Sequence, residues 1–430
     1  MKKNFLAGIA FACASLCFSQ IKATDRPSGF ASVGAKSQFG GNPEKSVVVT
    51  NVNDLRKYAG EGGYVIYVSG MIDITDGMLP DTAFSETEKL NEFISKNTGG
   101  AVKSWSEWKT KFALCMKKNT DYTGGGRHAG IDSSMDKYFG TLLNKWKGVV
   151  LLNVASDTTI IGLDGSSGLK GGSLQLSGVE NVAIRNLILQ DAFDPFPHHE
   201  DGDGWNAEYD CLCVVSSKNI WIDHVTFQDT ISVGKNAFAH VKLGDKSDEK
   251  YQTTDGFLDI KGSSAAITIS YCHFLNHDKT CLWGASDKER LSEARTITAH
   301  HNYFHNCVQR LPMVRLADLH LYNNYYDVDK KSSFQSSYAI GARFSANINS
   351  EGNYFGSGIK YSVQGASKNY GSFYSSGDVD KSSGGKRTDQ FTSAKKPLFE
   401  VPYEYSVEEA KNLNKVLPAQ VGSGVLEVER

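Results

Sequence analysis

A chain of 430 residues has room for two or three ordinary domains or for one elongated repeat domain. Its formal net charge of -2 gives no sign of a nucleic-acid or membrane-surface partner, so an acidic polymer could bind only through a local basic patch. The 42 glycines and 9 prolines, beside 22 phenylalanines and 19 tyrosines, favour many short strands joined by tight turns.

The N-terminus has the pattern of a secretory signal peptide. Lys2 and Lys3 form a basic start, Phe5–Phe18 is a short apolar run, and Ala23 is a small residue suited to cleavage. The run is too short to span a bilayer, and no other segment could cross one. A buried N-terminal helix or a lipoprotein anchor is the alternative. We therefore expect residues 1–23 to be removed and the mature protein to be secreted or periplasmic.

Residues 76–147 look like an insertion. Two stretches in it, EKLNEFISKN and WSEWKTKFALCMKKN, place apolar residues at helical spacing, and the glycine-rich stretch TGGGRH follows as a loop. The strand pattern that fills the next part of the chain is missing here. We expect one or two helices, packed at the end or on the side of the main domain.

From residue 182 onward the chain contains a repeat. Each copy has an apolar-x-apolar step, such as Val182/Ile184, that ends five residues before an apolar anchor. Such alternation is typical of strands with one buried face. The anchors are Leu189, Phe227, Phe274, Phe304, Tyr326 and Phe355. Two residues before the last three anchors, Asn302, Asn324 and Asn353 fall in register, and we expect their amides to stack along one axis.

Short strands with loops of variable length predict a right-handed parallel β-helix, an all-β solenoid whose loops build the binding groove. The alternative, a β-sandwich, would need hairpin turns instead of a column in register. We expect residues 24–430 to form this single domain. Residues 361–430 should begin as an exposed loop and continue into one helix, SVEEAKNLNKVL, that caps the C-terminal end.

Four carboxylates fall on two neighbouring rungs of the predicted solenoid. Asp255 and Asp259 are four residues apart, and Glu208 and Asp210 are two apart on the preceding rung, so each pair should leave one face of a strand. Rungs about 4.8 Å apart would bring like charges together unless a cation lay between them. Calcium suits such an all-oxygen site, whereas a solvated acidic face is the plain alternative. The cysteines fit no zinc-binding spacing.

Three cations follow within one or two rungs of the acidic pairs, namely Lys279, Arg310 and Arg315. Any one of them, taken alone, would be read as a surface charge or as part of a structural salt bridge. Their position beside carboxylates that could hold a hard cation indicates a shared groove. Because lysine and arginine side chains bind carboxylates, the sequence predicts a site for an acidic substrate.

The motifs WIDHVTFQD, DGFLDIKGSSAAITISYCHFLNHDKTCLWG, HHNYFHNCVQRLPMVR and LHLYNNYYD resemble those of the pectate lyases of polysaccharide lyase family one. The stretches GFASVG, VTNVNDLRKY and TTIIGLDGSS look like the N-terminal coils of the same family. The resemblance covers most of residues 27–360 and is most specific from Trp205 to Tyr326. The helical insertion and the C-terminal tail are less diagnostic.

Carried over position by position, the resemblance implies a set of calcium ligands: Asp210, Asp255, Asp259 and, at a position that is acidic in only some members, Glu208. It also implies that Arg310 is the catalytic base and that Lys279 and Arg315 bind the substrate carboxylate. Leu316 and Ala317 stand where members often have Phe-Gly. This departure puts the shape of a subsite in question and leaves the chemistry unchanged.

The resemblance thus implies a calcium-dependent pectate lyase, which cleaves α-1,4-linked polygalacturonate by β-elimination to 4,5-unsaturated oligogalacturonides. We expect an open groove and hence endo action, a monomer, and an alkaline pH optimum, since arginine is protonated at neutral pH. Two alternatives stay open. One is a non-catalytic β-helix that binds acidic cell-wall polysaccharide, and the other is a calcium-independent pectin lyase.

Overall fold

The computed structural model describes residues 20–82, 85–117, 133–200, 204–231, 240–241 and 249–430. In this part of the chain, short parallel strands stack into three long sheets of 8, 9 and 11 strands. The chain passes from sheet to sheet, so that each circuit forms one coil of a right-handed parallel β-helix. This confirms the predicted fold class. The predicted TGGGRH loop lies outside the described residues.

The sheet of 8 strands, named the cleft sheet, carries the candidate site. Its strands are Leu151–Asn153, Ser173–Ser177, Leu212–Val215, Leu258–Lys261, Cys281–Trp283, Met313–Val314, Ile340–Ala342 and Val363–Gln364. Neighbouring strands are in register, so that Cys213 pairs with Asp259 and Asp259 with Leu282. Paired residues in a sheet face the same side, and one row of side chains therefore runs along the outside of the solenoid.

The sheet of 11 strands buries the apolar steps found in the sequence. Its strands are Asn42–Val49, Tyr64–Val68, Thr158–Gly162, Glu180–Arg185, Lys218–Asp223, Ala265–Ser270, Arg295–His300, Ala317–Tyr322, Asn347–Glu351, Ser372–Ser376 and Thr392–Ala394. Ile220, Ile267, Ile297 and Leu319 pair in one continuous row, and each is fully buried. Burial of each such side chain contributes about 1.5–3 kcal/mol.

The sheet of 9 strands contains the predicted anchors. Its strands are Met71–Asp73, Gly168–Lys170, Ile188–Gln190, Thr226–Gln228, His273–Lys279, Tyr303–Gln309, Tyr325–Asp327, Tyr354–Phe355 and Val379–Asp380. The six anchors pair in register along it, and the stacked rings of Phe274 and Phe304 are 4.6 Å apart. The predicted asparagine stack is confirmed, because Asn302 Nδ2 donates to Asn324 Oδ1 and Asn324 Nδ2 to Asn353 Oδ1, each at 2.9 Å.

The helices lie mainly before the long run of coils. The helix Val52–Glu61 packs on the first coil. Its N-terminus is capped by Asn51, whose side chain accepts a hydrogen bond from the Asp54 amide. In its described residues the insertion contains three helices, Glu88–Asn97, Trp105–Lys117 and Ser133–Val150, where one or two were expected. The last of these helices runs beyond residue 147, the expected end of the insertion. Its buried Met135, Phe139, Leu142, Trp146 and Val150 recur at helical spacing.

The insertion packs against the loop that follows strand Ile188–Gln190. Trp146 Nε1 donates to Phe193 O at 2.8 Å, and Trp105 Nε1 donates to Pro195 O at 2.7 Å. Both bonds are buried, so the insertion fixes this loop beside the cleft sheet.

No helix in the described ranges is both long and apolar enough to cross a membrane. The cysteines whose side chains the structure describes are free and buried.

The C-terminal tail returns along the flank of the coils, where a cap over the end was expected. In place of the single predicted helix, a short α-helix, Leu413–Val416, lies between the 3₁₀ turns Ala410–Asn412 and Leu417–Ala419. One reason why the helix does not begin at Ser406 is that the Glu408 amide donates to Asn323 Oδ1 at 2.8 Å, which holds this part of the tail against the solenoid. The remaining elements are the 3₁₀ turns Phe30–Ser32 and Thr388–Gln390 and the strand pairs Gln20–Lys22 with Glu427–Glu429, His198–Glu200 with Gly204–Asn206, and His240–Val241 with Glu249–Lys250.

Candidate active site

Two buried carboxylates lie close together on neighbouring rungs of the cleft sheet. Asp259 is on the strand Leu258–Lys261, and Asp210 comes just before the strand Leu212–Val215. Their exposed fractions are 4% and 3%. The Gly256 amide donates to Asp210 Oδ1 at 3.1 Å, and a Cβ at Gly256 would lie 2.6 Å from that oxygen. Glycine at this position therefore leaves room for the two carboxylates to converge.

One ammonium group serves both carboxylates. Lys261 Nζ lies 2.8 Å from Asp259 Oδ2 and 3.4 Å from Asp210 Oδ2. Lys261 is not among the residues that the sequence motifs predict for this site. The signal was nonetheless present, since Lys261 follows Asp259 by two positions on one strand and therefore faces the same side.

Burial and the neighbouring charges shift the pKa values of Asp210, Asp259 and Lys261. Burial raises the pKa of Asp210 well above its usual range, the Asp259 carboxylate raises it further, and Lys261 opposes both. Burial also raises the pKa of Asp259, against the opposing charge of Lys261. For Lys261, burial lowers the pKa, but the attraction of the two carboxylates outweighs burial and the net pKa is raised. The site thus favours additional positive charge.

Asp255 and Glu208 lie at the edge of this pair and have partners of their own. Asp255 Oδ1 is 2.5 Å from Lys279 Nζ. Glu208 pairs with His198 and lines the same cleft as Asp210. Both Asp255 and Glu208 lie in the segments before their strands, so the expected alignment of each acidic pair on one strand face is absent.

The donor chemistry of these side chains fits calcium, which takes oxygen ligands in flexible geometry. Their positions do not form a complete metal site. Within the described residues, no three carboxylate, imidazole or thiolate groups are close enough together to hold a metal ion. Asp210 and Asp259 are the pair that already shares a cation, whereas Asp255 is engaged by Lys279.

Lys279 is buried at the end of strand His273–Lys279, with 7% of its side chain exposed. Besides its contact with Asp255, Lys279 Nζ donates to Asn206 Oδ1 at 2.5 Å. Asn206 was not predicted and comes from the short strand Gly204–Asn206. The ammonium group is therefore held between a carboxylate and an amide at the floor of the cleft.

Arg310 and Arg343 lie further along the cleft sheet. Arg310 follows strand Tyr303–Gln309 with a φ of 60°, a left-handed conformation that is uncommon for arginine. The Nε atoms of Arg310 and Arg343 are buried and have no hydrogen-bond partner among the described residues. Burial raises the pKa of Tyr338, and the charges of Arg310 and Arg343 oppose this rise, so the three groups are neighbours. Arg343 was not predicted.

Arg315 is already paired. Its Nε lies 2.7 Å from Asp287 Oδ1, and its Nη1 donates to Gly284 O at 3.1 Å. At the departure noted in the sequence, Leu316 has a φ of 48° and Ala317 begins the next strand. The turn after Arg315 is therefore formed without the family's glycine.

Three of the four predicted carboxylates, Glu208, Asp210 and Asp255, line an open cleft together with Lys261. A cavity of about 520 Å³ beside the carboxylates is lined by Lys147, Gln175, Asn206, Glu208, Asp255 and Lys261. Asp210 comes just before the third strand of the cleft sheet, Asp259 is in the fourth, and Arg310 and Arg315 flank the sixth, Met313–Val314. With about 4.8 Å between strands, an extended chain that bears regularly spaced carboxylates could contact both groups of charges.

Comparisons with known proteins agree on one family. A family model described as pectate lyase matches residues 126–424. The chain is 36% identical over 320 residues to pectate lyase D of Dickeya chrysanthemi, which covers 72% of this chain and 79% of that protein. It is 40% identical over 228 residues to pectate lyase E of the same organism, which covers 52% and 57%. A solved pectate lyase bound to a hexasaccharide has a TM-score of 0.72 and 25% identity, and covers 96% of this chain and all of that one.

The fold and the cleft define a class of protein: a parallel β-helix in which one of the three long sheets carries carboxylates and, two strands further along, arginines. Within that class, the chain belongs to the pectate lyase family. This confirms the family that the sequence motifs indicated. The aligned part of the chain spans roughly half to four fifths of the length of the curated relatives.

Proposed function

We propose that the protein is a calcium-dependent pectate lyase that acts on α-1,4-linked polygalacturonate. The observation that carries this proposal is the juxtaposition of Asp210 and Asp259, which are buried and share one cation, with Arg310 two strands further along. Family membership supports the same conclusion. So does the solved relative described as a pectate lyase bound to a hexasaccharide, since its fold matches this one.

Each predicted site residue has a role in this proposal. Asp210, Asp255 and Asp259 would hold calcium, with Glu208 at the edge, and a bound ion supplies Lewis-acid stabilisation of the negative charge that develops at the substrate carboxylate. Lys279 and Arg315 would bind the carboxylate on C5 of the sugar, because both are fixed cations.

Arg310 would remove the proton from C5 of the bound sugar. The electron pair of that C–H bond forms the double bond between C4 and C5. The C4–O bond breaks, and its oxygen leaves with the departing chain, keeps the bonding electron pair and takes a proton from solvent water. The products are oligogalacturonides with 4,5-unsaturated ends. A general base accepts a proton only in its unprotonated form, so the rate should rise toward alkaline pH.

The test is the ultraviolet absorbance of the new double bond. Incubation of the purified protein with polygalacturonate and calcium should raise the absorbance, and EDTA should stop the rise. A release of reducing ends without absorbance would overturn the proposal in favour of hydrolysis. Binding of polygalacturonate without either signal would point to a non-catalytic polysaccharide-binding protein.

One observation favours a second candidate, the calcium-independent pectin lyase. Lys261 already neutralises Asp210 and Asp259 in part, so a cation in this place need not be a metal. The two functions separate on methylated pectin. Cleavage of fully methylated pectin in EDTA at a rate equal to that with calcium would establish the second candidate.

The proposal has three further parts: secretion, a monomeric state and endo action. Secretion is supported by the N-terminal signal pattern. Endo action is supported by the position of the cleft, which runs across successive strands along the outside of the solenoid. Early appearance of oligomers of mixed length from polygalacturonate would support endo action, whereas early accumulation of only dimers or trimers would refute it.

A further inference from the structure

His277 is a buried residue for which the proposed mechanism has no use. It lies on strand His273–Lys279, is 3% exposed, and stacks on the Phe257 ring with 3.9 Å between ring centroids. Both ring nitrogens are bonded. Nδ1 is 2.7 Å from Asp229 Oδ2, and Nε2 is 2.7 Å from the carbonyl oxygen of Asp255. A carbonyl oxygen only accepts, so Nε2 carries a proton and donates it to Asp255 O.

The same Asp229 oxygen reaches the residue before Asp255. Thr254 Oγ1 donates to Asp229 Oδ2 at 3.1 Å, and Asp229 itself is 5% exposed. Asp229 and His277 thus hold the Thr254–Asp255 segment at two points, one through a side chain and one through the backbone. Because these bonds are buried, breaking either one leaves a polar group without water to replace the partner.

The segment held in this way makes contacts with two groups of the candidate active site, the Lys279 ammonium and the Asp210 carboxylate. The Asp255 carboxylate lies 2.5 Å from Lys279 Nζ, and the following amide, Gly256 N, donates to Asp210 Oδ1 at 3.1 Å. Lys279 also follows His277 by two positions on one strand, so the two side chains leave the same face. A shift of the Asp255 backbone would therefore move a carboxylate and disturb two of its neighbours.

We infer that His277, with Asp229 behind it, is a positioning residue that fixes the Asp255–Gly256 backbone and thereby the carboxylates of the cleft. This inference rests on the proposed function for the roles of Asp210, Asp255 and Lys279. It does not rest on it for the backbone contact itself. His277 touches no substrate in this scheme and acts only through the segment that it holds.

Two conservative variants separate the two ring nitrogens. In His277→Gln the amide nitrogen reaches roughly as far as Nε2 and can still donate to Asp255 O, whereas in His277→Asn it reaches only about as far as Nδ1 and can bond only Asp229. His273→Gln is the matched control, since His273 is on the same strand and its Nε2 has no hydrogen-bond partner among the described residues.

The first measurement is amide hydrogen exchange of the peptide that contains Asp255 and Gly256, on the full chain without calcium. We expect faster exchange in His277→Asn than in His277→Gln and the parent. The second is calcium binding by titration calorimetry together with kcat on polygalacturonate. His277→Asn should bind calcium about tenfold more weakly, the loss expected for one buried hydrogen bond, and should have a lower kcat, with His277→Gln closer to the parent.

Equal exchange in both variants and the parent would overturn the inference, because His277 would then hold nothing. Faster exchange with unchanged calcium affinity and kcat would overturn it as well, because the backbone contact would have no effect on the site. If the parent neither binds calcium nor cleaves polygalacturonate, the proposed function fails. The exchange experiment then still decides whether His277 fixes the Asp255 backbone.

Discussion

At the scale of single residues, Lys261 decides the charge balance of the cleft. Its ammonium group is shared by two carboxylates that are 4% and 5% exposed in their side chains. Buried carboxylates with no counter-charge destabilise a fold, because each one loses its hydration. In the absence of calcium, Lys261 is therefore the group that makes the close approach of Asp210 and Asp259 tolerable.

Replacement of Lys261 by glutamine should lower the free energy of unfolding in EDTA by about 1–3 kcal/mol, because two buried carboxylates lose their cation. Added calcium should restore more stability to the variant than to the parent, since ligand binding stabilises the folded state and no ammonium competes. Urea denaturation with and without calcium measures both effects. Lys218→Gln, at an exposed ion pair with Glu180, is the control. Equal stability of Lys261→Gln and the parent in EDTA would contradict this account.

Gly256 offers a second test at this scale. An alanine Cβ there would lie 2.6 Å from Asp210 Oδ1 and 3.3 Å from Asp259 Oδ1, so the carboxylates must separate. We expect Gly256→Ala to raise the calcium concentration needed for half-maximal activity about tenfold or more, as for the loss of one good ligand contact. Gly60→Ala is the control, because nothing lies within 4 Å of its Cβ. An unchanged calcium requirement would show that the two carboxylates need not be close.

The sequence motifs pointed to candidate residues one strand at a time, although they left Lys261 out, and they did not show which residues meet across rungs. Asp210, Asp259 and Arg310 were selected because a motif contains them. Asn206 and Arg343 were not, since their neighbours in space are distant in the chain and only the coiling of the solenoid brings them together. The pairing of Arg315 with Asp287 was hidden for the same reason, because it joins two loops.

At the scale of elements, the asparagine stack links three consecutive coils. Asn324, which is fully buried, accepts from Asn302 Nδ2 at 2.9 Å and donates to Asn353 Oδ1 and to Ala299 O, each at 2.9 Å. The column was predictable, since its register follows from the anchors. Its energetic role comes from burial, which makes every amide in it dependent on its neighbours.

Asn324→Ala should therefore destabilise the protein by about 2–5 kcal/mol, as it leaves a buried amide and a buried carbonyl without partners. Asn347→Ala is the control, because Asn347 makes a single partly buried bond to Asp318. Thermal and urea unfolding give the comparison. A loss of stability no larger than in the control would mean that water or a shift of the coils replaces the stack.

The N-terminal strand leads to another expectation at this scale. Gln20–Lys22 pairs with Glu427–Glu429, and Ile21 is fully buried. Cleavage after Ala23, as the sequence analysis expected, would remove this strand from the fold. We predict instead that the secreted protein begins at Gln20 or earlier, which N-terminal sequencing of the secreted form would establish. A mature N-terminus at residue 24 would contradict this.

At the scale of the whole molecule, the solenoid converts a one-dimensional repeat into an ordered row of charges. Asp210 and Asp259 lie at the third and fourth strands of the cleft sheet, and Arg310 and Arg315 lie beside the sixth, so the regular strand spacing sets the distance between the two groups of charges. At one end of this row, the insertion contributes Lys147 to the lining of the cleft. Its helices also hold the nearby loop in place through hydrogen bonds to the carbonyl oxygens of Phe193 and Pro195. The third helix was missed although its start, Asp132-Ser133-Ser134, has residue types that favour a helix N-terminus.

The proposed activity depends on Arg310 as the base in a cleft that would also bind calcium. The most direct measurement is the initial rate of absorbance rise on polygalacturonate at saturating calcium for Arg310→Ala, with Arg290→Ala as an exposed control. We predict a fall in kcat of at least about 10²-fold for Arg310→Ala, with calcium binding and unfolding unchanged, since removal of a general base costs this much. Cleavage by Arg310→Ala at the rate of the parent would contradict the account.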